Sequence, residues 1–301
     1  MTLVSCGYSG SVPITLTGLR RYPVKSCRGE DLPEAVVEPW GLAGDRRWIL
    51  VDEQGEQLTA REHNRLLTVR PELVPGGLRI AAPGREDLLV AEPRAAWRDV
   101  RIWGDTVRAA SAGAGADAWF AGLLGLPAHL MYLDDPTLRP ADPQVSQPGD
   151  VVSFADAFPV LIASTASLDL LNDWIADARG PEFGPLDIRR FRPNLVVTGA
   201  DPFAEDSWSR IRIGGTEFRV VGDCSRCVLT TIDPDTISRG HEPIATLARH
   251  RRWDGQVWFA VNAIPEVPRP GDAPPPVIRV GDEVEVLAAS RVPRVPARPG
   301  S

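Results

Sequence analysis

The chain has 301 residues, of which 43% are hydrophobic, enough for one large domain or two ordinary ones with real cores. Its net charge of −7 divides into −4 for residues 1–150 and −3 for the remainder, so neither half offers the basic surface that duplex DNA or RNA requires. No run approaches the roughly 18 apolar residues of a membrane span, and the opening MTLVSCGYSG has neither a charged n-region nor an apolar h-region, making Leu3–Cys6 a chance lipobox; the expectation is a soluble cytoplasmic protein with no nucleic-acid or membrane partner.

Glycine (27) and proline (29) punctuate the chain at short intervals, which suits many short strands better than long helices. Ile14–Leu19 alternates as a strand, Trp48–Val51 is a buried run, and Arg98–Val107 reads as a strand pair about Gly104-Asp105. A helix is expected over Ala116–Leu124, followed by a proline-rich stretch from Asp135-Pro136 to Pro148-Gly149 that suits a domain boundary. The second half opens with Phe154-Ala155-Asp156-Ala157-Phe158-Pro159 and an apolar run to Ile162. Ser164 and Thr165 then start a helix that buries Leu168, Leu171, Trp174 and Ile175. Leu195–Thr198 reads as a strand, and Ile211 and Ile213 face Phe218 and Val220 across the two-residue turn Gly214-Gly215, which delivers the chain to Cys224. Val257–Ala263 is a further strand, and a hairpin-like pair surrounds Gly281-Asp282. The expectation is a mostly β (α+β) protein: two β-barrel-like domains with a few short helices, spanning 11–140 and 141–289, and a disordered tail over 290–301.

Four cysteines (Cys6, Cys27, Cys224, Cys227) are too few for a disulfide scaffold and point to reduced thiols with a specific use. Asp223-Cys224-Ser225-Arg226-Cys227 permits a redox dithiol, half of a zinc site, a single metal-binding thiolate beside a spectator, or two structural cysteines. Zinc lacks a second cysteine pair at suitable spacing. The strand-like Val228-Leu229-Thr230-Thr231-Ile232 argues against a thiol at a helix N-terminus, so a strand-borne cysteine beside Arg226 suits a metal or an anionic metal cofactor. Arginine outnumbers lysine 32 to 1, and the one lysine is Lys25, followed by Ser26; a compact ammonium suits a phosphate or a Schiff base better than a guanidinium fork does. Arg46 and Arg192 lie in similar arginine-bearing strings. Gly113-Ala114-Gly115-Ala116-Asp117-Ala118 matches a loose dinucleotide fingerprint, but the strands around it read as hairpins rather than parallel buried strands. No Gly-x-Ser-x-Gly nucleophile motif occurs.

Together, the strings Tyr22-Pro23-Val24-Lys25-Ser26-Cys27, Gly44-Asp45-Arg46-Arg47-Trp48, Thr59-Ala60-Arg61, Phe191-Arg192-Pro193-Asn194, Glu205-Asp206-Ser207-Trp208, and Cys224-Ser225-Arg226-Cys227 with Thr230-Thr231-Ile232-Asp233-Pro234 resemble MOSC-domain molybdenum-cofactor proteins. The resemblance is to those with an N-terminal MOSC β-barrel domain, such as mitochondrial amidoxime-reducing components and bacterial hydroxylaminopurine reductases. It implies an N-terminal MOSC-type β-barrel over 11–140 and a MOSC domain over 141–289. It also implies Cys227 as the molybdenum ligand and catalytic residue, with Lys25, Ser26, Arg46, Arg192, Asn194, Ser225 and Arg226 binding the molybdopterin. The implied activity is reduction of N-hydroxylated small molecules with electrons from a separate ferredoxin, flavodoxin or flavin reductase. The alternatives are a molybdenum-cofactor or sulfur carrier using Cys227, and a pyridoxal phosphate enzyme through Lys25, which is disfavoured. No cysteine follows Cys227, so an appended ferredoxin domain of the kind some relatives carry is not expected.

Overall fold

The computed structural model describes residues 13–269 and 271–289, and the expectations for Cys6 and the 290–301 tail lie outside them. The chain is mostly β, with three α-helices among the described residues, as the composition predicts. Its largest sheet orders the strands Val284–Ala289, Trp208–Ile213, Thr216–Ser225, Gln256–Glu266, Val160–Ser164, Leu195–Thr198, Thr15–Arg21 and Glu30–Leu32. Neighbours are antiparallel except Val160–Ser164 and Leu195–Thr198, which are parallel. A parallel pair needs a crossover, here the helix Thr165–Arg179 with Ser164 at its N-cap. The sheet curls until its ends meet: Val284 N–H donates to Ile14 O at 2.8 Å and Leu16 N–H to Asp282 O at 2.9 Å. Closure leaves no open edge between these two strands.

Alternation puts Leu16, Leu19, Ile162, Val197, Ile211, Ile213, Phe218 and Val261 inside this barrel, all buried. The crossover helix covers its outside, where Leu168, Leu171 and Ile175 pack with Phe191, Phe203 and Phe259. The first half adds a four-stranded antiparallel sheet (Trp48–Val51, His129–Tyr132, Asp105–Ser111, Trp97–Ile102) and a three-stranded meander (Arg70–Val74, Gly77–Ala81, Leu88–Ala91). The helix Ala114–Leu124 follows a strand that is antiparallel to both neighbours, so Gly113 sits in a sheet of the wrong sense for a dinucleotide fold. The first and second halves interlock, because Thr15–Arg21 completes the barrel and Val277–Arg279 pairs with Glu34–Glu38. Among the described residues no helix is long and apolar enough to cross a membrane.

Two local expectations are corrected. The strands flanking Gly281-Asp282 do not pair with each other; Val277–Arg279 joins Glu34–Glu38 while Val284–Ala289 joins Trp208–Ile213. Val228–Thr231 is a 3-10 turn, not a strand. Its β-branched residues favour strands only where a neighbour supplies ladder partners. Here Thr230 turns both its N–H (3.1 Å) and Oγ1 (3.0 Å) back to Cys227 O, and Thr231 Oγ1 donates to Val228 O at 2.7 Å.

Candidate functional site

Three pairings converge on one end of the barrel. Leu19 lies opposite Leu195, which sets Arg20–Ser26 beside Arg192–Asn194. Val24 bridges to Trp48, and Lys25 N–H donates to Trp48 O at 2.8 Å, bringing in Arg46. The long hairpin strand shifts register between Val220 and Gly222 and again between Asp223 and Ser225, so two irregularities re-aim the chain immediately before Cys227. The result is a cavity of about 520 Å³ lined by all eight residues expected from sequence: Lys25, Ser26, Arg46, Arg192, Asn194, Ser225, Arg226 and Cys227.

Their surroundings separate those that face a ligand from those that hold the site. Asn194 is 1% exposed and its amide is fully committed, with Oδ1 accepting from Arg46 (3.0 Å) and Leu161 N–H (3.2 Å), and Nδ2 donating to Arg20 O and Asp45 Oδ1 (both 3.1 Å). Asp45, wholly buried, also pairs with Arg46 and accepts from Tyr22 N–H at 2.8 Å. Asn194 and Asp45 thus position Arg46. The Arg46 and Arg192 guanidiniums both stack on the Tyr22 ring, at 4.6 and 4.2 Å. Burial lowers the Arg192 pKa, and among the described residues its guanidinium has no hydrogen-bond acceptor. A half-buried guanidinium with no acceptor is costly unless an anion meets it.

Lys25 is 6% exposed, and its Nζ donates to Phe154 O at 2.9 Å and to Asp156. Burial pulls its pKa down to about 8 despite Asp156. Burial works to raise the Asp156 carboxyl, but Lys25, Arg61 and Arg46 overcome it and hold the group well below the usual carboxylate range. Asp156 was not singled out from sequence; an acidic residue framed by Phe154, Phe158 and Pro159 was the available signal.

The two cysteines differ. Cys224 Sγ accepts from Arg226 Nη1 at 2.8 Å and packs against the helix-side core, whereas the Cys227 sulfur has no hydrogen-bond partner among the described residues. Cys27 is buried in the first half's core, with its thiol pushed up to about 12. Arg226 is anchored by Nη2 to Phe191 O at 2.7 Å, while its buried Nε has no partner among the described residues.

Ser26, Arg46, Trp103 and Arg192, all on this cavity, have φ of +69°, +47°, +54° and +57°. Such left-handed backbone costs non-glycine residues about 1–2 kcal/mol each and concentrates at functional sites. A second cavity of about 310 Å³ lies behind Arg192 and Leu229. Its Arg20, Arg28, Arg189 and Arg190 are paired with Asp31, Asp235, Asp187 and Asp233 and are thereby neutralised. The Glu205-Asp206 string lines neither cavity; it is buried beside Ser167 and Arg251.

A metal cofactor fits the larger cavity in a specific way. Among the described residues no three His, Cys, Asp or Glu groups converge, so a metal held here must bring ligands of its own. One thiol without a hydrogen-bond partner among the described residues, and five cations (Lys25, Arg46, Arg61, Arg192, Arg226) that outnumber the two lining carboxylates Asp156 and Asp223, suit an anionic organic ligand that carries a thiophilic metal.

Two family models match in succession, the MOSC N-terminal beta barrel domain over residues 14–127 and the MOSC domain over residues 149–285. Mitochondrial amidoxime-reducing component 1 of Mus musculus is 32% identical over 291 residues, spanning 91% of this chain and 82% of that protein. The Homo sapiens protein of the same name is 33% identical, spanning 80% of this chain and 73% of its own length. Molybdenum cofactor sulfurase of Danio rerio is 31% identical over 94% of this chain, though this chain spans only 36% of it. The chain therefore belongs to the MOSC-domain proteins that carry a MOSC N-terminal barrel, and it is homologous to the mitochondrial amidoxime-reducing components over most of its length.

Proposed function

We propose that this protein binds the molybdenum cofactor and reduces N-hydroxylated compounds, namely hydroxylamines, amidoximes and N-hydroxylated bases. The observation that carries the reading is the Cys227 thiol in a cavity crowded with cations, where among the described residues the sulfur has no hydrogen-bond partner and no cluster of metal ligands forms. Each turnover breaks one N–O bond, consumes two electrons and two protons, and releases water and the reduced nitrogen compound. When bound, the cofactor supplies the two-electron redox couple. The protein's part is to bind and orient. Cys227 offers the thiolate to the metal. Lys25, Ser26, Arg192 and Arg226 present ammonium, hydroxyl and guanidinium donors to the phosphate and the polar pterin edge, and Asp45 and Asn194 hold Arg46 in place. Electrons come from a separate ferredoxin, flavodoxin or flavin reductase.

A second reading, a cofactor or sulfur carrier using Cys227, draws support from the similarity to a molybdenum cofactor sulfurase over 94% of the chain. Metal, pterin and sulfane-sulfur analysis of the purified protein, with benzamidoxime reduction under an artificial one-electron donor, separates the two. Molybdenum near one per chain with turnover supports the reductase. Cyanide-labile sulfur on Cys227 without turnover supports the carrier.

A further inference from the structure

The cavity is lined in part by an aromatic residue that the binding of metal and phosphate does not use. Trp103 sits on the turn between the strands Trp97–Ile102 and Asp105–Ser111, beside Gly104, where small or polar residues are usual. It is 48% exposed, unusual for so large an apolar side chain. Its position is nevertheless fixed. The indole Nε1 donates to Asp156 Oδ1 at 3.3 Å, the Arg61 guanidinium lies 4.3 Å from the ring, and the backbone is held at φ +54°. On the same cavity the strand Gln256–Glu266 contributes Trp258, whose indole is locked by an Nε1 hydrogen bond to Trp253 O at 2.9 Å and by stacking on Trp253 at 6.0 Å. Two immobilised indoles and the Phe158 ring therefore line the same cavity as Lys25, Arg46, Arg192 and Arg226.

We infer that Trp103 is a stacking platform that selects planar, aromatic N-hydroxylated substrates over small aliphatic ones. A rigid indole offers contact area at little entropic cost. This rests on the reductase reading and adds to it the preferred shape of the substrate. It also joins Trp103 to the other first-half residues, Lys25, Ser26, Arg46 and Arg61, that line this cavity. Asp156 and Arg61 act on the platform as positioning residues, since each touches the ring or its N–H.

The test compares kcat/KM for benzamidoxime and for acetamidoxime, with an artificial one-electron donor, in wild type, Trp103→Ala and Trp103→Phe. The benzamidoxime-to-acetamidoxime ratio should fall about tenfold in Trp103→Ala, chiefly through KM, and recover most of the way in Trp103→Phe, in line with the worth of an aromatic pair. A ratio unchanged within about twofold in Trp103→Ala overturns the platform. If wild type turns over neither compound, the reductase reading fails, and equilibrium binding of benzamidoxime judges the platform on its own. Titration of wild type and Trp103→Ala should then show about tenfold weaker binding in the variant, and equal affinities would overturn the inference.

Discussion

The Arg226 guanidinium donates to the Cys224 sulfur across 2.8 Å, so Cys224 is engaged by the protein and Cys227 is left as the sulfur open to a ligand. In a Cys-x-x-Cys string the two thiols are equivalent on paper; one hydrogen bond makes them unequal. Cys227→Ser should abolish N-hydroxy reductase activity while leaving much of the pterin bound, because Lys25 and Arg192 act on the ligand independently of the thiolate. Cys224→Ser keeps an acceptor for Arg226 and should retain at least about a third of the rate. A dithiol mechanism needs both sulfurs, so equal loss of rate with metal retained in both variants would refute the single-ligand assignment.

Asn194 and Ser225 line the same cavity for different reasons. Removing the Asn194 amide strands the Leu161 N–H and weakens the hold on Arg46. Asn194→Ala should therefore destabilise the fold by about 2–3 kcal/mol as well as lower cofactor content, since buried groups lose their partners. The Ser225 hydroxyl has no partner among the described residues, so Ser225→Ala should alter cofactor retention with a stability change within about 0.5 kcal/mol. Thermal unfolding of the two variants, with and without cofactor, checks the contrast; equal destabilisation would show that Asn194 has no special positioning role.

Lys25 joins two effects of opposite sign. With its folded pKa near 8 against an ordinary 10.5, the unfolded chain binds more protons between those values, so this residue makes fold stability rise with pH across about 8 to 10.5. Anion binding by its ammonium fades as the folded group loses its proton about pH 8. Cofactor retained through gel filtration should therefore drop between pH 7 and 9 without loss of structure by circular dichroism. Lys25→Arg forces a wide fork into a space closed by Phe154 O and Asp156 and should weaken retention about 10- to 100-fold. Full retention in the arginine variant, or retention independent of pH, would remove Lys25 from the phosphate site.

The sequence exposed the chemistry of this site more fully than its architecture. Cys227, Lys25, Arg46 and Arg192 are chemically distinctive in short strings, so they could be picked out before their convergence was visible. The Gly214-Gly215 hairpin was legible because turn chemistry is local, and the helix does begin after Ser164 although the Ser164 hydroxyl makes no capping hydrogen bond. What was hidden is non-local. Nothing in Thr15–Arg21 says that it closes a barrel with Val284–Ala289 some 270 residues later, and the interlocking of the two halves followed from that. The left-handed backbone of Ser26, Arg46, Trp103 and Arg192 leaves no mark in composition, since tertiary contacts rather than glycine impose it. Asn194 reads equally as ligand or brace until its four hydrogen bonds are seen.

Glu205 carries the last prediction, and it concerns the fold rather than the chemistry. Its side chain is fully buried and hydrogen-bonded by Ser167 Oγ at 2.7 and 2.9 Å, next to Asp206, which is paired with the equally buried Arg251. Burial, with Asp206 adding to it and Ser167 opposing it, raises the carboxyl to about 7 from 4.5. The folded state therefore binds more protons than the unfolded one between those values. Glu205 contributes full stability below about pH 4.5, loses it as pH climbs to 7, and costs a constant amount above. Glu205→Gln keeps an acceptor for Ser167 and removes the buried charge. It should be about 1–3 kcal/mol more stable than wild type at pH 8 and nearly equal to it at pH 5, where the wild-type carboxyl is already neutral. Chemical denaturation at the two pH values decides the matter. A variant less stable than wild type at pH 8 would mean that the Glu205 carboxylate is compensated beside the crossover helix, and that burial does not govern its titration.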